Sequence, residues 1–247
     1  MSEKPLLYWD LADWWQLLTP PSEYEEEAAF YRRTLIEEST TKPRDVLELG
    51  SGGGNNASHM KKEFSLTLVD LSPRMLAVSK ELNPELEHLE GDMREVRLGR
   101  EFDAVFVHDA IDYMTSLDDI RAAAETIYVH TRPDGVALIC PDHIRENFEV
   151  GTDHGGNDGE GRSLRYLQWW WDPDPSDHTY ITDFAYLLRE GDGDVEVVKD
   201  RHFNGLFSES EWLGVLSDVG FEAKLIPFVH SEVPVGAVLF VAKKPLV

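Results

Sequence analysis

The sequence predicts a doubly wound α/β fold with a mostly parallel seven-stranded sheet, a helical N-terminal cap and an inserted β-hairpin or lid. Three observations carry that expectation. Five short apolar segments between Asp45 and Cys140 alternate with helical stretches. The first runs straight into a glycine-rich turn, Gly50 to Gly54, and the second ends on an acid, Asp70, twenty residues after Gly50. Strands spaced by helices need crossovers, and crossovers of one hand lay the strands parallel.

Residues 1–40 read as the cap: Glu25–Glu27 lead into AAFYRRTLIEE, with apolar positions at helical spacing, and Pro20-Pro21 divide the region into two helices. Residues 41–141 form the ligand-binding core, with strands at 45–49, 66–70, 88–91, 103–107 and 136–140. Ser72-Pro73 reads as an N-cap followed by a first-turn proline, and Ser116 as a second N-cap. That second helix ends before the turn Pro133-Asp134-Gly135. Residues 142–206 are expected to supply the lid: a loop over 142–176, rich in Gly, Asp and aromatics, then a hairpin around Gly191-Asp192-Gly193-Asp194. In 207–247, Ser208 caps a helix that Gly220 ends, and strands at 221–229 and 236–243 complete the sheet, the last hairpin antiparallel.

At 247 residues the chain can bury a full core without disulfides, and its single cysteine, Cys140, leaves no multi-cysteine metal site. The net charge of −24 repels a polyphosphate backbone, which argues against nucleic acid as a partner. It suits a solvated surface and can steer cationic small molecules. No apolar run approaches the ~18 residues of a membrane span. The opening MSEKPLLYWDLADWW carries acids where a signal peptide has an apolar stretch. A cytoplasmic location is the expectation, with a small-molecule acceptor as partner and a homodimer as a possible assembly.

The glycines at 50, 52, 53 and 54 let the backbone turn tightly and approach a ligand, and the following helix offers free N–H groups. Asp70 at the end of the second strand can accept from both hydroxyls of a ribose. Together these call for an adenosine-like ligand. A dinucleotide fingerprint starting at Gly50 needs a glycine or alanine at position 55, where Asn55 stands. Glu48, two residues before the first glycine, would repel a pyrophosphate and attract an ammonium group.

Four segments resemble the class I methyltransferases that use S-adenosylmethionine: Glu48-x-Gly50-x-Gly52-x-Gly54, Asp70-Leu71-Ser72 with Met75, Gly91-Asp92-Met93, and FDAVFVHDAIDYM. The resemblance covers residues 40–140 and implies a Rossmann-like methyltransferase fold with S-adenosylmethionine as cofactor. It implies that Glu48, Gly50, Ser51, Gly52 and His108 meet the methionine end. Asp70 would hold the ribose, Leu71 and Met75 would flank the adenine, and Asp92 with Met93 would meet the adenine edge. GDMREVRLGREFDAVF and the downstream hairpin are similar to the small-molecule branch, which includes amino-sugar N-methyltransferases. The activity implied is methyl transfer to nitrogen or oxygen of a small acceptor. The alternatives are an NAD(P)-dependent oxidoreductase, disfavoured by Glu48 and Asn55, and a non-catalytic S-adenosylmethionine-binding protein.

His108 follows the fourth strand and His143 the fifth, at the ligand rim of a doubly wound sheet, so each is a candidate general base. Asp109 and Asp142 beside them do not make a carboxylate–amide metal pair, and no metal is expected. Tyr8, Trp14 and Trp15 are candidates to fold over a cofactor, since aromatic faces suit a sulfonium. Trp169–Trp171 cannot all face one way, so at least one should point into a cleft or an interface. His154, His178, His202 and His230 show no ligand-set spacing and read as surface or hydrogen-bonded residues.

Overall fold

The fold is seen in a computed structural model of the chain, which describes residues 4–231 and 236–246. The first three residues of the cap and part of the C-terminal segment (232–235 and 247) lie outside the described residues.

The chain opens as a strap of 3-10 turns (Leu6–Tyr8, Ala12–Trp14 and Pro21–Tyr24) around the single-turn α1 (Trp15–Leu18), then enters α2 (Glu25–Glu38). Of the two helices expected here, only the second is regular. Pro5, Pro20 and Pro21 deny backbone donors to the first, and its aromatics are spent on tertiary contacts. The core follows as β1 (Asp45–Leu49), α3 (Asn55–Met60), β2 (Ser65–Asp70), α4 (Pro73–Leu82), β3 (Glu87–Glu90), β4 (Phe102–His108), α5 (Leu117–His130) and β5 (Thr131–Cys140). The Ser72 and Ser116 hydroxyls accept from the amides of Met75 and Asp119, as N-caps do.

From residue 151 the chain builds a second sheet: β6 (Gly151–Gly155), β7 (Asp158–Gly159), β8 (Arg162–Trp171), β9 (Thr179–Glu190) and β10 (Glu196–Gly205). The hairpin β9–β10 matches the sequence expectation. About half of the segment expected as a loop, 142–176, is instead strand, because β9 offers β8 an edge that no local signal announces. Then α6 (Glu209–Val219) starts with a capping box, in which the Ser208 hydroxyl accepts from the Glu211 amide and Glu211 accepts from the Ser208 amide. Gly220, at φ +115°, ends it. Strands β11 (Glu222–Pro227) and β12 (Val238–Lys243) finish the main sheet.

The main sheet has the order β11-β12-β5-β4-β1-β2-β3, in which β12 alone runs antiparallel to its neighbours β11 and β5. Both faces are covered, which is why residues 46–49, 104–107 and 136–140 of β1, β4 and β5 are buried without alternation. Leu47, Leu49, Val105 and Val107 pack toward Ile120, Ile127, Trp212 and Leu216 of α5 and α6. Val46, Leu68 and Phe106 pack toward Tyr31 and Leu35 of α2 and Met60 of α3. Full burial of a side chain such as Leu35 or Leu47 stabilises by about 1.5–3 kcal/mol. The small antiparallel sheet, in the order β10-β9-β8-β6, covers the carboxyl end of the main sheet's strands through the strap. Leu7 and Trp14 pack with Leu164, Tyr186 and Leu188, and the Leu7 amide donates to Asp200 Oδ2 at 2.9 Å. No helix among the described residues is long and apolar enough to cross a membrane.

Candidate active site

At the end of β1 the chain turns through Gly50, whose φ of +72° suits glycine. A Cβ there would also fall inside the Ala110 side chain. The amides of Gly50 and Ser51 both donate to Val69 O, at 2.8 and 3.0 Å, which ties this loop to the end of β2. Asp70 then braces the loop. The Gly52 amide donates to its Oδ2 and the Ser72 amide to its Oδ1, each at 2.8 Å. Burial pushes the Asp70 carboxyl up, while those two amides pull it down. After β3, Asp92 pairs with Arg94 at 2.6 Å, and Arg94 also reaches Asp119 at 3.0 Å, which holds the Asp92 carboxyl below its ordinary value.

Glu48 sits between β2 and β4 on β1, only 3% exposed, and its Oε2 has no hydrogen-bond partner among the described residues. Burial pushes it up to about 8, against the pull of His108. A buried, unpartnered carboxylate oxygen is costly unless something cationic meets it.

These residues share one cavity of about 720 Å³. One wall is the shelf formed by Glu48, Gly50–Gly53, Asp70, Leu71, Asp92 and Met93. The strap supplies the roof with Tyr8, Trp15 and Tyr24. Asn55 explains its departure from the dinucleotide pattern: it donates to Thr19 O (2.9 Å) and accepts from Gln16 Nε2 (3.1 Å), fastening the roof to the glycine loop. The far wall holds Asn56, His108, Asp109 and Tyr113, with Thr179, Arg201 and Phe203 of the small sheet at the rim.

Asp109 has a φ of +23°, an uncommon backbone for a non-glycine residue, directly after β4. Its carboxylate meets His108 Nε2 at 2.8 Å, with Glu27 at 3.8 Å on the same nitrogen. Burial opposes charge on His108, yet Asp109, Glu27 and Asp142 together push it up to about 10. Deeper in, Asp112 accepts from the Asp142 amide at 3.0 Å. Burial and Asp109 push Asp142 up to about 7, and Asp112 is raised well above the carboxylate range.

Of the residues singled out in the sequence, Glu48, Gly50, Ser51, Gly52, Asp70, Leu71, Asp92, Met93 and His108 all line the cavity. Two do not. Met75 is fully buried and packs beneath Gly52, so it supports the shelf from behind. His143 lies off the wall, its ring against Phe148, Trp170 and Tyr180 at 5.4, 6.1 and 5.5 Å. Burial pushes its imidazole below the usual value, and nothing places it beside the shelf. His108 meets the shelf but as an imidazolium held by carboxylates, which lacks the free lone pair a base needs near neutral pH. Tyr8 and Trp15 are roof residues as expected, whereas Trp14 packs under the small sheet. Trp169 and Trp171 stack on each other at 5.6 Å on one face of β8, and Trp170 turns the other way, toward His143.

Sequence reasoning missed the group behind the roof. Tyr113 Oη lies 2.9 Å from Tyr8 Oη and 2.8 Å from His202 Nδ1, and His202 Nε2 lies 2.9 Å from Asp200 Oδ2. The signal available was an acid and a histidine at i and i+2 in an alternating strand, which puts both on one face. Among the described residues no group of three or more His, Cys, Asp or Glu side chains is arranged to hold a metal ion.

Residues 46–135 match the family model of a methyltransferase domain. A dTDP-3-amino-3,6-dideoxy-alpha-D-glucopyranose N,N-dimethyltransferase of Streptomyces fradiae is 32% identical over 119 residues, 47% of each chain. A dTDP-3-amino-3,4,6-trideoxy-alpha-D-glucopyranose N,N-dimethyltransferase of Streptomyces venezuelae is 31% identical over 119 residues, 47% of this chain and 50% of that one. The chain thus spans about half the length of these curated relatives. Among solved structures, Streptomyces venezuelae DesVI shares the fold with a TM-score of 0.81 at 23% identity, covering 96% of this chain and 97% of that one. The sugar N-methyltransferase KedS8 from Streptoalloteichus sp ATCC 53650 gives a TM-score of 0.78 at 25% identity, covering 90% and 88%.

Proposed function

We propose, for a chain whose residues 46–135 form a class I methyltransferase domain, that it transfers the methyl group of S-adenosylmethionine to the amine nitrogen of a small acceptor of the amino-sugar class. One observation carries this reading: a single cavity joins an adenosyl-methionine shelf to an aromatic and acidic second wall. The residues fit the cofactor. Glu48 offers a buried carboxylate with an open Oε2 to the ammonium, Asp70 is pre-oriented for the ribose, Leu71 stands exposed at the adenine edge, and Asp92 lies beyond it. When bound, S-adenosylmethionine supplies an electrophilic methyl, and the amine lone pair forms the C–N bond as the C–S bond breaks.

The protein's own part is to hold the acceptor in line and to accept a proton. Positioning alone is worth up to about 7–11 kcal/mol in favourable cases. Asp109 on the acidic far wall draws a cationic amine into the cavity, and the net charge of −24 steers it there. Amine nitrogen is favoured over hydroxyl oxygen because that acidic wall suits an ammonium. An oxidoreductase is disfavoured by Glu48, which would face a pyrophosphate, and by Asn55, which is committed to the roof. A sensor without turnover would not need the second wall. A cytoplasmic location completes the reading, supported by the lone, free and buried Cys140.

The test is calorimetric titration with S-adenosylmethionine, S-adenosylhomocysteine and NADH, followed by mass spectrometry of dTDP-3-amino-3,6-dideoxyglucose and free amino sugars incubated with S-adenosylmethionine. Binding of the first two ligands and a gain of one or two methyl groups on an amine is expected. Binding of NADH alone, or methylation confined to hydroxyls, would overturn the assignment.

A further inference from the structure

We propose that Asp200, His202, Tyr113 and Tyr8 form a proton relay that takes the proton from the acceptor amine out of the cavity and stores it on His202. This rests on the amine-methylating reading above and names the proton acceptor for it.

The geometry is a continuous chain of hydrogen bonds. Tyr8 and Tyr113 line the cavity. Their hydroxyls are 2.9 Å apart, Tyr113 Oη is 2.8 Å from His202 Nδ1, and His202 Nε2 is 2.9 Å from Asp200 Oδ2. His202 and Asp200 are 3% and 7% exposed, so the far end is dry. Asp200 is fixed in turn by the Leu7 amide, 2.9 Å from the same oxygen.

Each hydroxyl carries one hydrogen, so the chain has two directions. In one, His202 donates to Tyr113, Tyr113 donates to Tyr8, and Tyr8 donates into the cavity; His202 is then an imidazolium against the Asp200 carboxylate. Reversed, Tyr113 donates to a neutral His202, Tyr8 donates to Tyr113, and the Tyr8 oxygen accepts from the cavity. Passing from the second to the first moves one proton from an ammonium N–H to Tyr8, from Tyr8 to Tyr113, and from Tyr113 to His202. The amine keeps the electron pair that forms the new C–N bond.

The surroundings favour passage over storage on a phenol. Burial raises both tyrosines above their usual value, so neither rests as a phenolate. Burial works against charge on Asp200, yet the His202 bond and the amides of Leu7 and Leu6 hold it below the carboxylate range. The titratable groups facing this cluster are Tyr24 from the strap, Tyr180 and Tyr186 from β9, and Asp70, Asp109 and Asp142 from the ends of β2, β4 and β5, all neutral or acidic. The guanidinium of the adjacent Arg201 is turned to Asp183 at 2.6 Å. Among the described residues the pattern thus holds a carboxylate, an imidazole and two phenols with no opposing cation in contact.

The structural alternative is that His202 merely props Tyr113. Two readouts separate them. In the unliganded, ¹⁵N-histidine-labelled protein, the relay predicts that Tyr8→Phe, two bonds away at the cavity end, shifts the His202 Nδ1 resonance. An unmoved resonance in a folded Tyr8→Phe protein would sink the relay, whatever the enzyme's substrate proves to be. With S-adenosylmethionine and dTDP-3-amino-3,6-dideoxyglucose, His202→Gln keeps a partner for Tyr113 but cannot take the proton. Its kcat should fall about 100-fold at pH 7 and recover toward wild type by pH 10, where the amine deprotonates unaided. An equal loss at every pH would mark a prop. Turnover of no amine by the wild type would instead fail the parent reading and leave the resonance test to decide the relay.

Discussion

Replacing Glu48 by glutamine removes a carboxylate that the fold buries at 3% exposure and leaves with an unpartnered oxygen facing the cofactor shelf. With Glu48 pushed up to about 8, the unliganded site is mostly protonated at pH 7, and a ligand ammonium must displace that proton to meet a carboxylate. Binding at pH 7 should therefore release about 0.9 proton. The affinity for S-adenosylhomocysteine should rise about 25-fold between pH 6.0 and 7.5 from this group alone. The sign for folding is the reverse of the common carboxylate case. Because the folded value lies above the ordinary 4.5, the unliganded fold loses stability as pH rises from about 4.5 to about 8. At 1.36 kcal/mol per tenfold, that loss is at most about 5 kcal/mol. Glu48→Gln should bind S-adenosylhomocysteine more weakly at pH 7.5, release no proton, and melt higher than wild type at pH 9 without ligand. Calorimetry in two buffers of different ionisation enthalpy measures the proton directly. Equal observed heats in the two buffers, with a pH-independent wild-type affinity, would refute the reasoning.

Asp70→Ala strands the Gly52 and Ser72 amides and removes the ribose acceptor, so cofactor affinity should drop by about 1.5–3 kcal/mol, roughly 10- to 150-fold; an unchanged Kd in calorimetry would displace the ribose from Asp70. Gly50→Ala combines a left-handed backbone with a collision at Ala110, and thermal unfolding should show a loss of about 2–4 kcal/mol. Adding Ala110→Gly should restore the collision part and leave the backbone part. His143→Phe keeps the ring against Phe148, Trp170 and Tyr180, so kcat should stay within about twofold of wild type and the pH–rate profile should keep its shape. A 100-fold fall with loss of the acid limb would restore His143 as the base.

The glycine-turn wall of the cavity was legible in the residues because its signals are local. A strand that ends in glycines at φ of +72°, +52° and +74° must turn there whatever packs around it, and an acid ending the next parallel strand must lie beside that turn. Serine caps at 72, 116 and 208 act within three residues of themselves, and all three helices start where those serines stand. Such features depend on short-range backbone geometry, so the order of residues determines them.

What only the tertiary structure decided joins residues far apart in the chain. Tyr8 meets Tyr113 across 105 positions, Tyr113 meets His202 across 89, and Leu7 meets Asp200 across 193. No periodicity in the sequence links such partners, and His202 read alone is one histidine among nine. The strands of residues 151–171 were hidden for the same reason, since an edge is offered only once β9 is in place. Even the charges of His108 and Glu48 follow from enclosure: one is surrounded by carboxylates brought from three elements, the other is dried by both neighbouring strands. Residue type and spacing determine where a ligand can be met; burial and long-range contact determine which of the groups around it carries a proton.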